Sequence, residues 1–383
     1  MRIAIDAHTV GAKLGGNESY AVNLIEALAQ IDSVNDYTIY ITTDEARERF
    51  KGRWSNFRVR ATLPHTPLIR IPLTLSAELR KHPVDVLHVQ FTAPPFCPCP
   101  VVVSIHDLSF EHLPQTFNRR SRTQLRLTVR HSAKRAARII SLSEHTRRDI
   151  IETYGITPER IHAIPLAAPS HFAPVADNRE LQRVRHNYGI HGDYILSVGS
   201  IQPRKNLARL VRAYARVRAS LRGNNSAITL PKLVLVGKCA WLYDETLRAL
   251  EETGVRDDVV LTGYVPQADL PALYSGALCF VYPSYFEGFG LPPLEAMKCG
   301  AAVIVGNKTS LPEVVGDAAL TVDPFDVDAI ASAMKQLIDD PALRETLSVK
   351  GQIRATAFDW RETARKTLKV YEEVAQQTMR AFL

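Results

Sequence analysis

Two glutamates, Glu287 and Glu295, bracket the run Gly-Phe-Gly-Leu-Pro-Pro-Leu in the last third of the chain. The residues before them, Ala277 to Tyr282, form an unbroken apolar run, the pattern of a strand covered on both faces. Gly288 and Gly290 then permit backbone that a side chain would forbid. Pro292 and Pro293 suit a first helical turn, where a missing N–H costs nothing, and Gly300 stops the short helix. The stretch reads as strand, glycine turn and helix N-terminus, with one carboxylate on each side of the turn. Free N–H groups and the positive end of a helix dipole attract phosphate at such a place. Two carboxylates there would repel it unless they faced something else, and hydroxyl groups on a ribose and on a sugar are their natural partners. One such glutamate is accounted for by the helix dipole alone. The pair around this turn points to a nucleotide-sugar.

A second candidate, Gly199-Ser200-Ile-Gln-Pro-Arg204-Lys205, follows the apolar run Tyr194–Val198 and opens a helix. Cations at a helix N-terminus oppose its dipole, so two adjacent ones argue for an anion. Arg204 offers a bidentate fork and Lys205 a point charge to a diphosphate. His106-Asp107 ends another buried run at the strand end where open α/β sheets place ligands, although a lone histidine there also serves packing. Gly15-Gly16, after the first strand, reads equally as a plain turn or as backbone approaching phosphate. Asp326-Val-Asp328 has the spacing of a metal-binding Asp-x-Asp but reads as acids around a helix start. From Asn118 to Arg138 the chain carries Arg119, Arg120, Arg122, Arg126, Arg130, Lys134, Arg135 and Arg138 without an acid. At about 100° per residue, Arg122, Arg126, Arg130, Lys134 and Arg138 make one drifting cationic stripe. It reads as a solvated face or as a surface for lipid phosphate and anionic membrane. Nucleic acid is not expected, since no aromatic platform accompanies the charge.

These candidates need elements to hold them. Strand-like runs at Arg2–Asp6, Tyr37–Thr42, Asp85–Gln90, Val101–Ile105, 137–142 and Ile161–Ile164 alternate with helical spacing, beginning with Glu18–Ile31. That alternation predicts a parallel, doubly wound α/β sheet. The stretch 167–181, with two prolines and few apolar residues, reads as a linker. The pattern restarts at Tyr194–Val198, Lys232–Val236, Val259–Thr262, Ala277–Tyr282 and Ala302–Val305, and a helix from Trp360 to Gln377 closes the chain. At 383 residues two domains are expected, 1–172 and 173–359, with 360–383 crossing back onto the first. Composition is that of an ordinary globular protein, 46% hydrophobic and 23% charged, with mean hydropathy −0.09. No apolar run approaches the ~20 residues of a membrane span. The sequence opens on a strand, so no signal peptide is expected, and five cysteines without metal-like spacing fit a reducing compartment. Cys97-Pro-Cys99 reads as loop packing, and the expected location is the cytoplasm. Of the net charge of +7, residues 1–172 carry +6, so an anionic partner is expected on the first half.

The segment from Pro283 to Gly300 resembles the Glu-x7-Glu signature of the retaining glycosyltransferases of family 4. The two successive Rossmann-like halves resemble that family's GT-B fold over nearly the whole chain. The resemblance implies an interdomain cleft, a nucleotide-sugar co-substrate, and neither cofactor nor metal. It implies ribose at Glu295, sugar hydroxyls and phosphate at Glu287, the donor diphosphate at Arg204 and Lys205, and contacts from Gly288, Phe289, Gly290 and Leu291. Backbone at Tyr264 and Val265 would line the base, and Gly15 and Gly16 would approach the donor phosphate. Many members carry arginine where this chain has Ser200, a departure for which Arg204 would compensate.

Ile105 to Pro114 resembles the His-Asp segment of bacterial mannosyltransferases in that family. This implies contact between His106 and the donor sugar and, with Pro-Arg-Lys-Asn at 203–206, GDP-mannose as donor. In the mechanism the resemblance implies, the acceptor hydroxyl attacks on the face from which the diphosphate departs, and the β-phosphate takes the proton. His106, Glu287, Arg204 and Lys205 would then act by positioning and charge stabilisation. The implied acceptor is a glycan or lipid-linked sugar of a bacterial surface polysaccharide, at the inner face of the membrane. A UDP-sugar or other nucleotide-sugar donor, and an epimerase or hydrolase on the same fold, stand as alternatives. An NAD-dependent oxidoreductase would need Gly-x-Gly-x-x-Gly at the first turn, which the chain lacks, and leaves the paired glutamates unexplained. A non-catalytic basic membrane- or nucleic-acid-binding protein would be told by retention on heparin without nucleotide-sugar binding.

Overall fold

The computed structural model describes residues 1–12, 15–224, 230–240 and 242–382. Lys13 and Leu14 of the first glycine loop, and Leu383 of the closing segment, lie outside them. The chain divides into two compact units, Met1–Leu166 with Asp359–Leu383, and Ala167–Phe358. Residues 167–172 thus belong with the second unit.

The first unit is built on β1 (Arg2–Asp6), β2 (Asp36–Ile41), β3 (Phe57–Ala61), β4 (Val86–Gln90), β5 (Val101–Ile105), β6 (Arg138–Ser141) and β7 (Ile161–Ala163). Neighbouring strands are parallel, in the order β3-β2-β1-β4-β5-β6-β7. β4 and β5 are buried throughout, as their apolar sequences require. The edge strand β3, Phe-Arg-Val-Arg-Ala, lies outside the strands expected from the sequence, because its charged, partly exposed alternation lacks the buried-run signal. Helix α1 (Gly16–Ile31) buries Ala21, Leu24, Ile25 and Leu28, and α2 (Arg119–Arg135) buries Val129 and Ala133. Strand order turns back between β1 and β4. The crevice beyond the C-terminal strand ends at such a reversal is where doubly wound sheets take ligands.

The second unit repeats the plan with β8 (Tyr194–Val198), β9 (Lys232–Val236), β10 (Val259–Gly263), β11 (Cys279–Tyr282), β12 (Val303–Gly306) and β13 (Leu320–Val322), all parallel in the order β10-β9-β8-β11-β12-β13. Its reversal lies between β8 and β11. Leu210, Val211 and Tyr214 of α3 (Leu207–Asn224) join Ile195, Leu233, Val281 and Ile304 in one core. Gly237, after β9, has φ 143°, and a Cβ there would sit 2.1 Å from the Gly199 carbonyl oxygen. The turns after β8 and β9 therefore touch backbone to backbone. Helix α4 (Leu291–Lys298) follows β11.

The closing helix α5 (Trp360–Phe382) packs on α1, β4 and β6 of the first unit. Its fully buried Tyr371 hydroxyl bonds His88 Nδ1, while His88 Nε2 lies 2.7 Å from the Ser104 hydroxyl. Burial lowers the His88 pKa to about 3, so a neutral imidazole ties this helix to β4 and β5.

Candidate functional site

At the reversal of the second sheet two turns lock together. Ser284 donates its hydroxyl to the Arg204 carbonyl (2.8 Å) and Tyr285 its backbone N–H to the same oxygen (3.1 Å). Asn206, in the left-handed region, donates to the carbonyls of Pro283 and Pro324. The positive-φ glycine of the acidic loop is Gly290, at 123°, where a Cβ would lie 2.8 Å from Leu311 Cδ2. It caps α4, and Pro292 and Pro293 in the first turn remove two N–H groups that would otherwise need partners.

Glu287 is buried between these turns. Its Oε1 accepts from Lys205 Nζ (2.6 Å), the Ser284 hydroxyl (2.7 Å) and the Tyr282 hydroxyl (3.0 Å), and Oε2 accepts from Arg204 Nη1 (2.7 Å). Burial raises the carboxyl pKa, but Arg204 and Lys205 together outweigh it and hold the group at about 2. Lys205 is also buried, with Nζ 4.7 Å from the Tyr282 ring centroid. The sequence by itself turns Glu287 towards ligand hydroxyls. Here both its oxygens are engaged by protein donors, and it acts as the counter-ion that seats two cations. One carboxylate between two cations leaves the cluster with a net positive charge.

Glu295 differs. Half-buried in α4, it accepts from the Tyr274 hydroxyl (3.1 Å) through Oε2. Burial raises its pKa to about 7 against the opposing Tyr274 hydrogen bond. The two glutamates, alike in sequence, therefore sit on opposite sides of the ordinary carboxylate range.

Sequence reasoning missed the residues that fix the loop. Thr309 is β-branched yet left-handed, with φ 55°, and its hydroxyl accepts the Glu287 N–H (3.0 Å). Ser310 donates to the carbonyls of Glu287 (2.8 Å) and Phe289 (2.7 Å). Tyr282 ends an apolar run in sequence and Tyr274 carries no signal of its own, yet their hydroxyls meet Glu287 (3.0 Å) and Glu295 (3.1 Å). Phe289 is buried, and Gly288, Phe289 and Leu291 share the loop and helix start with Gly290. Ser200 is exposed after β8. After β10, Tyr264 is exposed with Lys238 Nζ 4.9 Å from its ring centroid, and Val265 is buried. Asp326 caps the helix Val327–Asp339 by accepting from the N–H groups of Asp328 (2.8 Å) and Ala329 (3.0 Å), while Asp328 pairs with Arg216.

In the first unit, His106 directly follows β5 and is buried. Its Nδ1 donates to Asn17 Oδ1 (2.8 Å), and Phe91 and Tyr20 hold the ring, with centroids 5.0 and 4.8 Å away. Burial lowers its pKa to about 4 against the opposing pull of Asp107. The imidazole is therefore neutral near pH 7. Gly15 (φ 59°) caps α1 and Gly16 begins it; both are exposed, with open space where a Cβ would stand.

The cationic stripe is not uniform. Arg126 pairs with Glu111 (2.6 Å), Arg122 donates to the Phe110 carbonyl (3.3 Å), and Arg138 is half-buried 3.8 Å from Glu373. The exposed cations of α2 are Arg119, Arg120, Arg126, Arg130, Lys134 and Arg135, around Leu127, which is 68% exposed. Among the described residues no helix is long and apolar enough to cross a membrane.

Residues 178–354 match the family model described as Glycosyl transferases group 1, and residues 14–172 match Glycosyltransferase Family 4. The chain is 36% identical over 272 residues to O-antigen chain mannosyltransferase B of Escherichia coli, spanning 71% of this chain and 70% of that one. It is 33% identical over 247 residues to the serotype-specific mannosyltransferase WbdA of Escherichia coli, spanning 64% of this chain but 30% of that longer protein. Anabaena HepE, solved in complex with UDP and glucose, matches with a TM-score of 0.76 over 97% of this chain and 100% of that chain, at 18% identity, a likeness of fold. With two parallel Rossmann-like sheets and these matches, the chain belongs to the family 4 glycosyltransferases and has the GT-B fold.

Proposed function

We propose that this glycosyltransferase moves mannose from GDP-mannose onto a glycan or lipid-linked acceptor of a bacterial surface polysaccharide, with retention of configuration and without a metal. The observation that carries the reading is the Arg204–Lys205–Glu287 cluster, two cations seated by one carboxylate at the kind of strand-order reversal where doubly wound sheets take ligands. Both relatives named above are mannosyltransferases, and one acts on O-antigen chains. In this reading Arg204 and Lys205 stabilise the departing diphosphate from positions already set by Glu287, so little reorganisation accompanies the reaction. Glu295 takes the ribose hydroxyls, and neutral His106 contacts the donor sugar rather than transferring a proton. The acceptor hydroxyl attacks on the leaving-group face, and its proton passes to the β-phosphate. The exposed cations of α2 suit the anionic cytoplasmic face of a membrane.

The test is a panel of GDP-, UDP- and dTDP-sugars, with nucleoside diphosphate release followed with and without a mannoside acceptor, in the presence of EDTA. GDP release from GDP-mannose that depends on acceptor and survives EDTA, with an α-linked product, is the expected result. Turnover of a UDP-sugar alone, or conversion of donor without acceptor, would replace the reading with one of its alternatives.

A further inference from the structure

The loop that joins β4 to β5 carries two thiols on either side of one proline, Cys97-Pro98-Cys99. Cys97 Sγ and Cys99 Sγ lie 3.6 Å apart, and neither residue is fully buried. The loop is braced from two sides. The Ala93 N–H donates to the Ser132 hydroxyl of α2 (2.9 Å), and Arg80 Nη2 donates to the Phe96 carbonyl (3.5 Å). Of the other cysteines, Cys279 and Cys299 are buried and Cys239 is exposed.

Both thiols line a cavity of about 150 Å³ between this loop and the last turn of α2, walled also by Ala93, Pro94, His131 and Arg135. That is several times the space a water needs, enough for the sulfur end of a small molecule. Arg135 is exposed at this wall, and Arg80 lies within electrostatic reach of Cys97. Asp85 acts on Cys99 but is paired with Arg2 (2.9 Å). The balance favours an anionic visitor. The hydrogen bond from the Cys99 S–H holds the Cys97 thiol below its ordinary value against burial, with help from Arg80. The same bond, together with burial, raises Cys99. A sulfur ready to attack thus stands beside one that keeps its proton. Packing alone would be served by any small apolar side chain, whereas thiol–disulfide exchange needs an attacking thiolate, a second thiol within reach and access from solvent.

We infer that Cys97 and Cys99 are a reactive dithiol, oxidised to an internal disulfide by an anionic low-molecular-weight disulfide of the glutathione type. The Cys97 thiolate attacks one sulfur of that disulfide, forming a mixed disulfide and expelling one thiolate. With Cys97 no longer anionic, the interaction that raised Cys99 is gone. Cys99 then attacks the Cys97 sulfur, its proton passing to the thiolate first released, and the second small thiolate departs. Two protein thiols are oxidised to one disulfide, and one small disulfide is reduced to two thiols. Where thiols are kept reduced such a bond is transient, reversed by excess thiol.

The test uses the full chain, reduced, desalted and exposed to oxidised glutathione, with each cysteine followed by alkylation and peptide mass spectrometry. Cys97 is expected to react roughly 3- to 10-fold faster than exposed Cys239, because a lowered thiol gains thiolate faster than it loses nucleophilicity. The expected product is a peptide spanning both sulfurs that lacks their two hydrogens, carries no glutathione and is restored by dithiothreitol. Cys97 reacting no faster than Cys239, or keeping its glutathione, overturns the inference. Cystamine, a cationic disulfide, tests the charge. The advantage of Cys97 over Cys239 is expected to shrink with cystamine, and with oxidised glutathione in Arg135→Ala. An equal advantage with both reagents overturns the choice of an anionic one. In Cys99→Ser, glutathione is expected to stay on Cys97. In Cys97→Ser, Cys99 is expected to react at least about 10-fold more slowly than Cys97 does in the wild type. Similar rates at the two sulfurs overturn the order of attack. The wild-type comparison with Cys239 needs no variant and decides the matter if either serine variant misfolds.

Discussion

Glu295→Gln is expected to make the protein more stable and a poorer binder of its donor. Burial raises the Glu295 carboxyl to about 7 in the folded chain, from 4.5. Below about pH 4.5 both folded and unfolded states carry the proton, and this residue does not affect stability. Between 4.5 and 7 the folded chain keeps a proton that the unfolded chain has lost, so stability falls as pH rises. Above 7 the whole cost of a charged, half-buried carboxylate is present. At 1.36 kcal/mol per pKa unit the shift sets a ceiling of about 3 kcal/mol, and partial solvent access brings the expected value to roughly 1–3 kcal/mol. Glutamine escapes that cost at every pH. Its Tm should exceed wild type at pH 8, by about 2–4 °C per kcal/mol for a unit of this size, and converge with it near pH 4.5. Donor binding should move the other way. Ribose hydroxyls favour the ionised carboxylate, so wild-type affinity for GDP should rise with pH up to about 7 and level off above it. Losing a charge-assisted hydrogen bond costs about 1.5–3 kcal/mol, so Glu295→Gln should bind GDP roughly 10- to 100-fold more weakly at pH 8, with a flatter pH profile. Scanning fluorimetry and calorimetric titration of GDP at pH 5, 6.5 and 8 measure both. A glutamine variant that melts below wild type at pH 8 refutes the burial argument. One that keeps wild-type GDP affinity refutes the ribose assignment.

Lys205→Ala should lower both stability and GDP affinity, with a stability loss below the roughly 3–5 kcal/mol of a fully broken buried pair, because Arg204 still meets Glu287. Adding Glu287→Gln should lower the Tm further, because it strips Arg204 of its ion partner; recovery of the Tm would refute the counter-ion role of Glu287. In vesicle sedimentation with anionic lipid, Arg130→Ala should reduce attachment more than Arg126→Ala, whose charge is already met by Glu111. Equal losses would mean that net charge alone matters, and no loss would leave α2 as plain solvated surface. Tyr371→Phe strips the buried hydroxyl from His88 Nδ1 and should cost about 1–3 kcal/mol in chemical denaturation, with GDP affinity unchanged.

What could be read from the chain is what short segments encode. The central strands are legible because a parallel sheet covered on both faces demands apolar runs, as in Val101–Ile105; the edge strands β3 and β13 carry no such demand. Arg204 and Lys205 stand out because they break a local rule, placing cations at a helix start, and a broken local rule is a common mark of a site. Periodicity on α2 likewise tells which arginines share a face, but not that Glu111 approaches that face to pair with one of them. Choice of partner is the part that no local pattern carries. Glu287 meets Lys205 across 82 positions, and His88 meets Tyr371 across 283. The two glutamates of the acidic loop make the point chemically. Nothing in their own surroundings in the sequence distinguishes one held at about 2 from one raised to about 7. The difference is made by a turn from β8 that brings two cations to Glu287 and none to Glu295, so the electrostatics of this site are a property of the β8–β11 reversal rather than of either segment.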